Sequence, residues 1–264
     1  MRADLYLVEK GYVQSRQRAR VLIESGCVTV DGRAITKPAA SISEEEHNVE
    51  IHDAIRYVGR GGLKLEAALQ AFQIDVCGKR ALDIGASTGG FTDCLLQHGA
   101  ASVYAVDAGV GQLAKCLLED PRVVSLEHKN ARELSLADIG GIRAEILVMD
   151  VSFISATYIL PQFPSLLTER GDAVVLIKPQ FEVGRAMLGK GGIVKDPKAH
   201  RYAIERVLDS GASVGLVPIG LLPSPIVGGD GNREFLIHFT RQSTGVIRVT
   251  EQDLLRVTST RTSL

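Results

Sequence analysis

The sequence predicts an α/β protein: a mostly parallel sheet of seven strands with helices on both faces, behind a small α+β module. Three observations predict it. From about residue 60 to 240, apolar strand-like runs alternate with helical patterns. A glycine-rich turn, "DIGASTGG" at residues 83–90, joins the first of those strands to a helix. Residues 1–55 follow another rhythm and carry a local excess of positive charge.

The elements follow in order. Leu5, Leu7 and Val8 begin a short helical pattern. "SRQRARVLIESG" is a second helix, with Ser15 as its cap, Ala19, Leu22 and Ile23 as its apolar stripe, and Gly26 as its stop. "CVTVDGRAI" reads as two short alternating strands about an Asp31-Gly32 turn. An acidic patch, Glu44–Glu46, is expected to begin a linker. The later strands are expected at 81–85, 102–107, 122–126, 145–150, 172–178, 213–219 and 234–240, with helices at 89–98 and 197–211 among the intervals. A polar tail follows residue 242, with a helix at 250–256. The expected domains are 1–55, a linker at 56–63, a main domain at 64–245 and a tail at 246–264.

Composition limits the function classes. The chain has 264 residues, 45% hydrophobic and 23% charged, an ordinary globular balance. A main domain of roughly 180 residues holds a large core without staples. Net charge is −1, so any basic footprint must be local. Cys27, Cys77, Cys94 and Cys116 form no C-x-x-C pair. They read as reduced, mostly buried thiols of a cytoplasmic protein. The six histidines are scattered, and no metal is expected. The first twenty residues lack a signal-like apolar core, and no run reaches about 18 apolar residues, so no membrane partner is expected.

Between Lys10 and Lys37 stand six basic residues (Lys10, Arg16, Arg18, Arg20, Arg33, Lys37) and two acidic ones, a balance of +4. Arg16 and Arg20 share a helical face that can lie against phosphates while the apolar stripe faces a core. The order helix, S-R-x-x-A-x-x-L-I-x-x-G, x-V-x-V-x-G over residues 4–51 resembles an S4 RNA-binding domain. That resemblance implies RNA contact through those six cations.

"RALDIGASTGGFTDCLLQHGA", residues 80–100, carries the cofactor reading. Small residues let a nucleotide-type ligand approach the backbone, and a helix N-terminus lies beneath with unpaired N–H groups. The next strand ends in Asp107, placed to accept hydrogen bonds from two ribose hydroxyls. A dinucleotide and S-adenosylmethionine both fit that logic. The dinucleotide fingerprint G-x-G-x-x-G is missing, and Asp83 before the first glycine suits an ammonium-bearing ligand, which favours S-adenosylmethionine. Gly85, Ala86, Ser87, Thr88, Gly89, Gly90 and Phe91 are expected along its methionine and ribose. Asn130, in "EHKNAREL", is expected near the adenine.

Lys178 ends the apolar run "VVLI" and Asp150 ends "ILVM"; both are expected at the sheet's ligand-binding rim, with Asp150 beside the cofactor. Lys64, in "GRGGLKLEAAL", and Glu234, in "GGDGNREFLIHF", follow glycine turns that can bring them there. With "MDVSFIS", "IKPQFEVG", "GGIVKDP" and "GDGNREFL" in that order, the sequence resembles the TlyA family. These hemolysin A-type proteins are ribosomal RNA 2′-O-methyltransferases with an FtsJ-like domain behind an S4 domain. The resemblance implies a Rossmann-like S-adenosylmethionine-dependent fold, a Lys-Asp-Lys-Glu catalytic set at Lys64, Asp150, Lys178 and Glu234, and ribosomal RNA or ribosomal subunits as partners. In it the target is a cytidine ribose, in large-subunit RNA and for some members small-subunit RNA.

The expected chemistry is removal of the ribose 2′-hydroxyl proton by Lys178. A free lysine amine is protonated at neutral pH. Desolvation and a neighbouring cation, here Lys64, favour its neutral form, while Asp150 opposes that and orients it. Glu234 is expected to hold the attacking hydroxyl. Three other readings stand beside this one: a membrane-active hemolysin, an RNA-binding protein with an inactive methylase domain, and a nicotinamide enzyme.

Overall fold

The structure is a computed structural model. It describes residues 1–13, 15–24, 26–43, 45, 47–51, 56–242, 245 and 248–259. The chain divides into two compact units, Met1–Arg60 and Gly61–Leu264.

In the first unit α1 (Ala3–Glu9) and α2 (Arg16–Glu24) pack on a three-stranded sheet of β1 (Val28–Val30), β2 (Arg33–Ala34) and β3 (Val49–Ile51) in the order β2-β1-β3. Ser15 caps α2 as expected, accepting from Arg18 N at 3.2 Å. Asp31 and Gly32 both take positive φ and turn β1 into β2, pairing Val30 with Arg33. Tyr6, Leu7, Ala19, Leu22, Ile23, Val28 and Ile42 form the core. Glu44 and Glu46 of the acidic patch lie outside the described residues. The patch does not open a linker, because residues 49–51 return to pair with β1. Too few apolar residues mark β3 for the sequence to reveal it.

The second unit begins with α3 (Gly61–Phe72), so the last residues of the expected linker are helical. Then follow β4 (Arg80–Ile84), α4 (Gly90–Gln97), β5 (Ser102–Val106), α5 (Lys115–Leu118), β6 (Val123–Leu126) and β7 (Ala144–Met149). After them come α6 (Phe163–Leu166), β8 (Leu167–Ile177), α7 (Pro179–Glu182), α8 (Pro197–Ser213), β9 (Val217–Pro223), β10 (Phe235–Thr240) and α9 (Glu251–Ser259). The seven strands lie in the order β6-β5-β4-β7-β8-β10-β9. β4 to β8 run parallel, and β10 runs antiparallel between β8 and β9. Val174–Ile177 and all of β10 are closed to solvent, which accounts for the unbroken apolar run of the first and the mostly apolar sequence of the second. Of the expected tail, residues 246, 247 and 260–264 lie outside the described residues.

Two expectations change here. The strand placed at 213–219 lies at 217–223, because α8 continues to Ser213 and the chain turns at Gly215 with positive φ. The thiols are not mostly buried: Cys94 is, but Cys77 and Cys116 are exposed. Cys77 lies in the turn before β4 and Cys116 on short α5, both outside the packed layers.

Candidate active site

The site lies where the strand order reverses, at the carboxyl ends of β4 and β7. Backbone hydrogen bonds tie the end of β4 to its neighbours: Asp150 N after β7 donates to Ile84 O at 3.0 Å, and Gly85 N donates to Val106 O of β5 at 2.8 Å. Gly85 has φ +84°, and a Cβ there would stand 2.5 Å from Asp150 O. That glycine is required by the approach of the chain to itself as much as by any ligand.

A cavity of about 490 Å³ opens beside this junction. Gly85, Ser87, Asp107, Asn130 and Asp150 line it, with Val106, Ile154 and Ile159 as apolar wall. Asp107 is held by backbone N–H groups of Ser87 and Gly109, each at 2.7 Å. Asn130 caps a short helical turn through its side chain and keeps its place on the wall. An adjoining cavity of about 160 Å³ shares Gly85, Ser87, Asp150 and Ser152, and adds Ala86, Thr88, Gly90, Phe91 and Lys178. Gly89 is the N-cap of α4 and lines neither cavity. Asp83 lines neither; it is fully buried beneath the loop, where its Oδ2 accepts from Thr92 Oγ1 at 2.7 Å and its Oδ1 has no partner. Burial pushes its carboxyl up to about 7.

The four proposed catalytic residues meet as two ion pairs. Lys178 Nζ stands 2.7 Å from Asp150 Oδ1 and donates to Ser152 Oγ at 2.7 Å. Lys64 Nζ donates to Glu234 Oε2 at 2.5 Å. The N-terminus of α3 brings Lys64 close, because Gly61 packs against Phe91 and Asp150. Gly228 makes room for the acid: a Cβ there would fall 2.5 Å from Glu234 Oε1. Burial raises the Glu234 pKa, Lys64 opposes that rise, and Asp150 and Lys178 also act on it. The pairing revises two sequence expectations. The Lys64 charge is already balanced by Glu234, and the Glu234 oxygen nearest Lys64 is occupied.

Several functional positions were not read from the sequence. Ser152 lies two residues beyond Asp150 and lines both cavities. Phe153 is 93% exposed, has φ +65°, and meets the Phe181 ring of α7 at 5.4 Å in a tilted contact. Buried Glu182 accepts from Ser155 Oγ at 2.5 Å and Ala156 N at 2.8 Å, which ties the Lys178 turn to the segment after Asp150. Their signal lay inside "MDVSFIS" and "IKPQFEVG", but nothing in either string says which side chain faces solvent.

In the first unit Arg18, Arg33 and Lys37 are exposed, and Lys10 lies over the Tyr6 ring. Arg20 is exposed too. Arg16 is engaged: it donates to buried Asp4 at 3.0 Å, alongside Arg2. Among the described residues, no group of three or more His, Cys, Asp or Glu side chains converges on a metal position. Nor is any helix long and apolar enough to cross a membrane.

The carboxyl-end rim of the parallel sheet carries two adjoining cavities that share Asp150, with Lys178 on the smaller, the arrangement of a ligand-binding α/β enzyme. The chain belongs to the FtsJ-like methyltransferase family, which matches residues 57–241. Residues 1–47 match the S4 domain. The chain is 44% identical to the 16S/23S rRNA (cytidine-2′-O)-methyltransferase TlyA of Mycobacterium tuberculosis over 92% of its own length and 90% of that protein's. It is 43% identical to Hemolysin A of Brachyspira hyodysenteriae, over 90% of this chain and 99% of that one. A solved structure from Streptococcus thermophilus, described as a candidate hemolysin, superposes with a TM-score of 0.77 at 38% identity, covering 98% and 94% of the two chains.

Proposed function

We propose that this protein transfers a methyl group from S-adenosylmethionine to the 2′-hydroxyl of a cytidine ribose in ribosomal RNA. The target is 23S RNA, and also 16S RNA, as the name of the Mycobacterium tuberculosis relative has it. The observation that carries the reading is the Lys178–Asp150 pair: both residues line the smaller cavity, and Asp150 lines the larger one too. The larger cavity suits a nucleoside, with the Asp107 carboxylate for vicinal hydroxyls, Asn130 for a base edge and an apolar wall. Bound there, S-adenosylmethionine supplies a methyl group already activated on a sulfonium.

The chain's own residues do the rest. Asp150 and Ser152 hold the Lys178 amine from two sides. Lys178 donates to Ser152 and stands beside Asp150 on the wall of the smaller cavity. From there Lys178 would take the 2′-hydroxyl proton, a general-base role typically worth 10²–10⁴-fold in rate. Lys64 and Glu234 fix the neighbouring wall as a neutral, buried pair, so the rim keeps its shape when the hydroxyl arrives. Asp83 acts from beneath through Thr92, bracing the loop at the first turn of α4.

The S4 module, residues 1–55, contacts RNA through Lys10, Arg18, Arg20, Arg33 and Lys37, with Arg16 shaping that face from its place on Asp4. The methyltransferase domain, 64–245, does the chemistry. The protein works in the cytoplasm, where its RNA is. Mapping 2′-O-methyl sites in 23S and 16S RNA from cells with and without the protein tests the proposal. A cytidine methylated only in its presence supports it; identical maps refute it.

A further inference from the structure

The segment between Val183 and Asp196 leaves the site's rim directly after α7, whose N-cap is Lys178. It carries Arg185, Lys190 and Lys195, all exposed. Among the described residues no acidic side chain pairs with any of the three. Elsewhere in the unit Arg122, Lys129, Arg201 and Arg256 are each paired with an acid.

The segment is also fixed. Gly189 N donates to Ile193 O at 3.0 Å. Val194 N donates to Asn232 Oδ1 at 2.8 Å, and Asn232 Nδ2 donates to Gly192 O at 3.2 Å. Asn232 is buried, as is His200, whose Nε2 meets Val194 O at 2.9 Å. Asn232 stands two residues before Glu234, so the staple joins this segment to the strand start that carries the buried acid. A loop with no partner needs no buried asparagine to hold its shape. Here the entropy of ordering is lost on folding and not on binding.

We infer that Arg185, Lys190 and Lys195 form a phosphate-contacting surface of the methyltransferase unit, gripping the backbone of the RNA strand whose ribose reaches Lys178. This rests on the proposed reading of the protein as an RNA methyltransferase. Cations that neutralise phosphates release counterions, so their contribution falls steeply with salt and carries no base preference.

The test uses the full chain and protein-free ribosomal RNA, with binding measured over a series of salt concentrations. The variant Arg185→Ala/Lys190→Ala/Lys195→Ala is expected to lower the slope of log affinity against log salt by about 2. Its binding at low salt falls roughly tenfold or more, and KM for RNA rises while kcat stays within about twofold. The charge-keeping variant Arg185→Lys/Lys190→Arg/Lys195→Arg retains the wild-type slope. An alanine variant with wild-type affinity and slope, tested beside a wild type that methylates RNA, overturns the surface and leaves the enzyme reading standing. Loss of slope in the charge-keeping variant also overturns it. A wild-type chain that transfers no methyl group to ribosomal RNA or subunits defeats the underlying reading, and the surface with it.

Discussion

Lys64 and Glu234 meet at 2.5 Å across 170 residues of chain, with side chains only 9% and 2% exposed. A buried pair of this kind costs much to desolvate and more to break. Lys64→Met strands the carboxylate and is expected to destabilise the fold by about 3–5 kcal/mol near neutral pH. Burial already raises the Glu234 pKa, and losing Lys64 raises it further. In the variant, therefore, stability falls as pH rises through the folded pKa, and the deficit shrinks in mild acid, where the stranded group takes up a proton. Urea unfolding at acid and neutral pH measures this. The double variant Lys64→Met/Glu234→Leu recovers most of the loss.

Lys178→Met is expected to reduce methyl transfer at least 10²-fold with cofactor affinity nearly intact, since the base acts only on the hydroxyl. Ser152→Ala removes one of the two contacts that aim the amine. It lowers kcat by roughly tenfold, in line with the loss of one hydrogen bond, and Ser152→Thr restores it. Single-turnover transfer and calorimetric titration separate the two effects.

Asp83 gives the ligand-free protein a particular pH response. Its carboxyl is pushed up to about 7 by burial, well above the usual carboxylate range. The folded chain therefore keeps this proton where the unfolded chain has released it. Stability falls as pH rises from about 4 to about 7 and levels off above that. Asp83→Asn is expected to remove this component of the slope, which thermal unfolding across that range resolves. An unchanged slope excludes Asp83 as its source.

Phe153 holds a bulky ring in water and in the left-handed region of backbone space. Both features cost stability, and strain of this sort collects where ligands bind. A nucleobase laid on the ring gains about 1–3 kcal/mol. Phe153→Gly is thus expected to stabilise the free protein by up to about 1 kcal/mol while raising KM for RNA about tenfold or more. Opposite signs in melting and steady-state kinetics are the signature. A variant that is less stable and fully active contradicts it.

Much of the architecture was legible because its signals are local. Buried parallel strands are short apolar runs, and both Ser15 and the Asp31-Gly32 turn announce themselves by residue type. Asp150 and Lys178 were placed at one rim because each follows the end of an apolar strand, while Glu234 was placed there by the glycine turn before its strand. Pairing was not legible. Nothing in the residues around Lys64 says that its partner is Glu234 and not the nucleophile's base, because that choice depends on how α3 docks through Gly61. Nor does the string "DVSF" reveal that the serine faces Lys178 while the phenylalanine faces water; the positive φ at Phe153 decides that. Strand β3 went unseen because three residues among acids carry too little pattern.

The reversed direction of β10 has its own outcome for how the molecule is made. A strand running with its neighbours would offer its last residue to the rim, but this one offers the residue just before its first, Glu234. Most of the polypeptide must therefore leave the translation machinery before Lys64 meets its counter-ion. Until that moment the buried Lys64–Glu234 pair cannot form.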